Sequence, residues 1–345
     1  MSQLSVEILE SVDPTLWNSW VSRAEFGAMF QTTFWADKIS DLWDCRPYFF
    51  VVRHENQPLD QPALVLVGFD IRSDFIADEH TPRSTFLKEL AYKFLGVRRH
   101  FQWFGQPAVV DQAVAVESCK VLLLEMERFC RAKKIHRVGP SELPISNMAS
   151  IPPHWQTKEW ATLIVDLQQG EDALWRNLKK TARKAIRSAR EKGISVRQIR
   201  SPDEFPAYFD FVSRCAARYG KKVYFKDLEI SWRRLHDSAV FEIFIAEKDG
   251  NPIASLGVWG YNGIIAELGS FQSEHSFSEK LYGGDLIKWE VLRWGSMHGY
   301  RAFDLAGVNP NPLTEKERGI RQFKEKWGGQ YQPYMIISWK DKDAT

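Results

Sequence analysis

Eight Lys or Arg and three acids fall within residues 171–193 (EDALWRNLKKTARKAIRSAREKG), a net of +5 in a 345-residue chain whose formal net charge is +2. Cations at this density make a local positive field, and the chemistry open to them is capture of phosphate, on a nucleotide-linked substrate or on RNA. At about 100° per residue, Trp175, Leu178, Ala182, Ile186 and Ala189 share one narrow face. Arg176, Lys179, Lys180, Arg183, Lys184, Arg187 and Arg190 occupy an arc of about 140° beside it. The pattern predicts one docked helix over 171–192, with Glu171 and Asp172 in its first turn, basic residues late and Gly193 at C′. Its outer arc is either a solvated face or a phosphate site.

Two other stretches could do chemistry. In SEHSFSEKLYGGDLIKWEVL, a polar loop with Gly283 and Gly284 follows a strand and precedes a helix. Such a loop offers free backbone N–H groups and a positive helix end to an anion, although a plain cap has the same pattern. Further on, DLAGVNPNP and GIRQFKEKWGG gather an Arg and two Lys beside Phe323, Trp327 and paired glycines. Tyr219, Tyr224 and Tyr282 are candidates to line a substrate cleft, or half-buried packing residues. Glu267, in AELGS, reads as a strand-edge pair or a site carboxylate.

Composition removes several classes. Cys45, Cys119, Cys130 and Cys215 show no CxxC or Cys/His spacing, which excludes a metal site by pattern and reads as reduced thiols in a cytoplasmic protein. The N-terminus MSQLSVEILESVDPTLW lacks a basic region and an apolar core, and runs such as Ala63–Val67 are far too short to span a bilayer. Neither export nor membrane insertion is expected, nor binding to DNA.

The elements that must position these residues repeat. FFVVRHENQPLDQPALVLV (49–67) reads as strand, turn, strand, and FEIFIAEKDGNPIASLGV (241–258) has the same grammar. Each is followed by a helix and a strand, at 119–140 and at 283–307. The fold class is α+β, two similar halves, the first with a longer insertion around 70–105. Proline-rich 139–153 marks the boundary, giving domains 1–153 and 154–345. From ISVRQI onward the second half reads β, α, α, β, β, β, loop, α, β, α, β, a mixed sheet clasped by helices.

LWRNLKKTARKAIRSAREKGISV, IAEKDGNPIAS, LIKWEVLRWGSMHGYRAFDLAG and GIRQFKEKWGG, taken as an ordered set, resemble the FemAB family of aminoacyl and acyl transferases over roughly residues 30–340. The resemblance implies two GNAT-like domains in tandem, each a mixed β-sheet flanked by helices. It implies transfer of an acyl group from an aminoacyl-tRNA ester or an acyl-CoA thioester to an amine, a cell-wall precursor being the commonest acceptor. Lys324 matches the Lys of the family's closing Phe-Lys motif and would stabilise the transferring acyl group or a nearby phosphate. Arg183 and Arg187 match the basic helix and would hold phosphates, with Lys180 and its neighbours adding diffuse field. No residue of the first half matches a functional motif, and the long helical hairpin of the staphylococcal branch is missing.

Acyl transfer needs a neutral amine, a donor for the developing oxyanion and restraint of both substrates. No Ser/His/Asp or Cys/His arrangement is present in the pattern, so direct attack in a ternary complex is expected, with no tightly bound cofactor. Lys324 would place positive charge at the oxyanion. Asp304, at a strand end, would accept the amine proton, directly or through water. Two alternatives stand beside the aminoacyl transferase: an acyl-CoA-dependent N-acyltransferase acting on a small amine or amino sugar, and a non-catalytic protein that binds RNA through the basic helix.

Overall fold

The computed structural model describes residues 4–24, 29–55, 61–72, 99–236 and 241–341. The chain divides into two compact units, Met1–Glu159 with Tyr334–Thr345, and Trp160–Pro333. The sequence pattern drew the line at 153/154 and left the C-terminus with the second half. The C-terminal residues return to the first unit because Met335, Ile337 and Trp339 bury alternate side chains in its core.

The first unit runs β1 (Leu4–Leu9), α1 (Pro14–Arg23), α2 (Thr33–Trp43), β2 (Arg46–His54), β3 (Leu64–Arg72), β4 (Arg99–Gln102), β5 (Ala108–Val109), α3 (Ala115–Ala132) and β6 (Arg137–Pro144). Its strands are ordered β1-β2-β3-β4-β6 and then the final strand, with β5 paired to β3. The expected hairpin is β2–β3, in the register Phe49 opposite Val67. α3 buries Cys119, Leu122, Leu123, Met126 and Cys130, the i, i+3, i+4 spacing of an amphipathic helix, against Phe50, Leu66 and Phe101 of the sheet. Most of the insertion expected around 70–105 lies outside the described residues.

The second unit takes up β7 (Gln156–Asp166) from Trp160 onward and continues with α4 (Glu171–Asn177), α5 (Lys180–Glu191), β8 (Ser195–Gln198), α6 (Phe205–Ala217), α7 (Phe225–Ser231), β9 (Phe241–Lys248), β10 (Asn251–Tyr261) and β11 (Ile264–Gln272). Then come α8 (Glu274–Ser278), α9 (Gly283–Met297), β12 (Ala302–Val308), α10 (Glu315–Glu325) and β13 (Gln330–Lys340). Strand order is β7-β12-β11-β10-β9-β8. α9 lies close on the sheet at Gly295, where a Cβ would stand 2.3 Å from the Ile265 side chain.

The helix expected over 171–192 is two helices. Leu178 and Lys179 are extended, and the Lys179 N–H donates to the Lys326 carbonyl at 2.9 Å. Gly328, at φ 78°, packs so tightly on Asn177 that a Cβ would lie 2.8 Å from its carbonyl oxygen. The turn after α10 therefore takes the place a continuous helix would need. Leu178, Ala182, Ile186 and Ala189 still face the core, as the periodicity predicts, and Gly193 has the expected left-handed φ of 73°.

Candidate transfer site in the second unit

β11 and β12 pair in parallel only at Ile264–Ala302, Ile265–Phe303 and Ala266–Asp304, although β11 runs on to Gln272 and β12 to Val308. Where the ladder stops, β12 carries a bulge: Asp304 stands opposite Ile164 of β7, but Gly307 stands opposite Thr162. Ala306 adopts φ 62° there, a left-handed conformation uncommon for a residue with a Cβ. The bulge is held from both sides. Asp304 Oδ1 accepts hydrogen bonds from the Ala306 N–H at 2.7 Å and from the Thr162 hydroxyl. Lys324 Nζ, reaching over from α10, donates to the carbonyls of Ala306 at 3.0 Å and Gly307 at 2.8 Å.

An ammonium has three donors, so two bonds to carbonyls leave one for a ligand. Both anchored protons go to Asp304 Oδ1, which leaves Oδ2 as the carboxylate's open oxygen. Burial pushes the Asp304 carboxyl above the usual range, more than the Thr162 and Ala306 bonds and Lys324 pull it back. Burial likewise pushes the Lys324 ammonium below the ordinary lysine value. A base with a raised pKa beside a cation with a lowered one is the arrangement that proton transfer near neutral pH requires.

Two more ion pairs surround these groups. The Lys288 amine, on α9, is 3% exposed and donates to Glu267 Oε2 of β11. It lies 5.5 Å from the ring centre of Phe303 and 6.0 Å from that of Phe323. The Lys326 amine donates to Asp285 at 2.5 Å, in the first turn of α9, and sits 4.0 Å from the centre of the Phe323 ring. Burial raises the Asp285 carboxyl. α10, which aims Lys324, starts with a capping box between Thr314 and Glu317. Asn309 donates to Glu317 at 3.0 Å, the first of several bonds that hold its carboxyl down at about 2.

Of the residues singled out in the sequence, the structure brings together Asp304, Lys324, Phe323 and Glu267. Arg183 turns back on its own segment: its Nη1 donates to the carbonyls of Arg176 at 2.8 Å and Leu178 at 2.7 Å, closing the open end of α4. Arg187 stacks on Trp175, 5.6 Å from the ring centre. Lys179 and Arg190 pair with Glu325 and Glu290, and Lys192 donates to the carbonyls of Glu279 and Lys280. Lys180 and Lys184 stand exposed.

Gly283 and Gly284 open α9 as expected, after Tyr282 at φ 57°. A Cβ on Gly283 would meet Ile253 at 2.9 Å, so that glycine permits close packing. Tyr282 lies under the Lys192 amine, Tyr224 precedes α7 at its N-cap, and Tyr219 is 60% exposed beside Arg218 at the end of α6.

Thr162, Lys288 and Asp285 were missed in the sequence, and Lys326, one of the two Lys of GIRQFKEKWGG, was given no role there. Lys288 carried a signal, since it interrupts the buried run Leu286, Ile287, Trp289 of α9 with a charge. Thr162 carried none, because its partner is 142 residues away. Among the described residues no cluster of His, Cys, Asp or Glu could hold a metal ion, and no helix is long and apolar enough to cross a membrane.

Residues 176–325, which contain Glu267, Lys288, Asp304 and Lys324, match the family model described as an acetyltransferase (GNAT) domain. Among solved structures, FemX superposes with a TM-score of 0.69 at 12% identity, over 96% of this chain and 97% of that one. The fold is FemAB-like, two GNAT-like α+β units in tandem. The FemAB-like fold is shared with L-PGS from Bacillus licheniformis, at TM-score 0.59 and 13% identity over 97% and 94% of the two chains. A tandem GNAT protein from the clavulanic acid biosynthesis pathway matches at TM-score 0.53 and 11% identity, over 98% of each chain. No curated protein matches the sequence.

Proposed function

We propose that the second unit transfers an acyl group from an activated ester or thioester to an amine by direct attack. The observation that carries this reading is the Lys324 amine seated on the bulge carbonyls beside Asp304, where β11 and β12 part. The amine nitrogen forms a bond to the donor's carbonyl carbon, and the oxygen of that carbonyl becomes an oxyanion facing the third Lys324 donor. The proton of the new ammonium goes to Asp304 Oδ2. Collapse breaks the C–O or C–S bond, and the departing alkoxide or thiolate takes a proton from Asp304 or water. No covalent enzyme intermediate is needed.

The donor is an aminoacyl-tRNA ester or an acyl-CoA, and the acceptor an amine such as a cell-wall precursor. Support for the first donor comes from the resemblance to FemX across nearly the whole chain, and for the second from the acetyltransferase model over the unit that holds the site. Purified protein mixed with charged tRNA, acetyl-CoA and a panel of amines decides the matter by mass spectrometry. One donor is expected to be consumed, and only with Lys324 intact. If neither is consumed with any amine, or Lys324→Ala transfers at the wild-type rate, the reading is wrong.

A further inference from the structure

Lys288 lies on the core-facing side of the second turn of α9 with 3% of its side chain exposed, a place where a leucine or methionine would pack at no electrostatic cost. A buried ion pair is weak support for stability, because desolvating both ions offsets their attraction. The Glu267–Lys288 pair therefore calls for another explanation. It lies next to the transfer site: Phe323, the neighbour of Lys324, is 6.0 Å from the Lys288 amine, and Phe303, the neighbour of Asp304, is 5.5 Å from it.

The groups that act on the Lys324 amine are Glu267 from β11, Lys288 from α9, and Asp304 with the carbonyls of Ala306 and Gly307 from β12. Of the two carboxylates, Asp304 is fixed to the bulge, whereas Glu267 is bound to Lys288. Without that bond Glu267, 14% exposed, would be a largely buried anion in need of a cation, and the Lys324 amine already lies within its field.

We infer that Lys288 is a positioning residue of the transfer site: it holds Glu267, and so keeps the Lys324 amine on the Ala306 and Gly307 carbonyls. This rests on the acyl-transfer reading for its purpose, but not for its test. Competitive acetylation of the free protein over a pH series, with mass spectrometry of the Lys324 peptide, reads the basicity of that amine without any substrate. In Lys288→Met, Lys324 loses a like charge and gains a carboxylate, so its amine should become more basic. Adding Glu267→Gln removes the competitor and should bring the labelling profile back toward wild type.

Turnover should follow the same cycle: Lys288→Met lowers kcat about ten-fold or more with KM nearly unchanged, and the double variant recovers most of that loss. A lost packing contact would not be restored by a second substitution. An unchanged Lys324 profile in Lys288→Met, or a double variant no better than the single, overturns the inference. Should Lys288→Met fail to fold, Glu267→Gln alone carries the test, since loss of an anion must make Lys324 less basic, and an unmoved profile overturns the inference equally. A wild-type protein that turns over no donor would sink the acyl-transfer reading while the labelling still decides the role of Lys288.

Discussion

Among the described residues each unit shows a pair of parallel strands with a helix between them in the chain, and the two units treat the space beyond that pair in opposite ways. In the first unit the β4–β6 ladder is a single pairing, Phe101 with Val138. Trp103, 1% exposed, then fills the gap. Its backbone N–H donates to Ser141 Oγ at 3.2 Å, the Ser141 hydroxyl donates to the Trp103 carbonyl at 3.0 Å, and the indole N–H donates to the Glu142 carbonyl at 3.0 Å. In the second unit the gap beyond Ala266 and Asp304 is lined by two carboxylates and two amines, two of them with shifted proton affinities. The lesson is that this topology leaves a gap but does not dictate its contents; one unit packs an indole there, the other gathers four ionisable side chains.

The comparison breaks most sharply at Lys324. Lys324→Ala should cost about 10²- to 10³-fold in kcat, the usual loss for one oxyanion donor, with the fold intact by circular dichroism. Trp103→Ala should do the reverse. It empties a sealed gap, lowering unfolding stability in denaturant titration by about 3–5 kcal/mol, while kcat measured well below the melting point stays at wild-type level.

Asp304→Asn sharpens the contrast further, because Asn can accept the same two bonds at Oδ1. A base of raised pKa and a cation of lowered pKa give a bell-shaped pH–rate profile, and the variant should lose the acid limb along with about 10²-fold or more in rate. Stability moves the other way. The folded Asp304 holds its proton more tightly than the unfolded chain does, so stability is lost as pH rises from the unfolded carboxyl's range through the raised one. The Asn variant escapes that loss and should melt higher than wild type at neutral pH, a result that calorimetry at two pH values checks.

The smallest effect separates the cations of the basic segment. Arg183→Gln should lower stability by about 1 kcal/mol and leave donor KM alone, because its hydrogen bonds go to helix-end carbonyls. Lys180→Glu with Lys184→Glu should raise donor KM and weaken its salt dependence without a stability change. If the arginine variant shifts KM instead, the phosphate role expected from the sequence holds for Arg183.

Much of the second unit was legible because its signals are local. Alternation in 241–271, the capping residues and Gly193 depend on neighbours a few residues apart, and the strands and helices fall where those patterns put them. The break at Leu178–Lys179 was not legible, since the cause is a carbonyl of Lys326. Charge counting misled for a related reason. It treats every Arg and Lys as facing solvent, whereas Arg183, Arg190 and Lys192 are committed to carbonyls or carboxylates supplied by other parts of the chain. Asp304 and Lys324 could be named from sequence, but the bulge that joins them involves β7, β12 and α10 together, and no spacing encodes it.

The extra residue in β12 has a wider consequence. Phe303 and Leu305 point into the core two apart, and the next inward side chain is Val308, three further on. The strand thus changes phase at Ala306, and the outward step it gains is where two carbonyls hold one cation within the field of a carboxylate. Deleting a single residue between Leu305 and Val308 would bring the strand back into step. Such a chain would keep every charge and the strand order, and would lose the place where the charges meet.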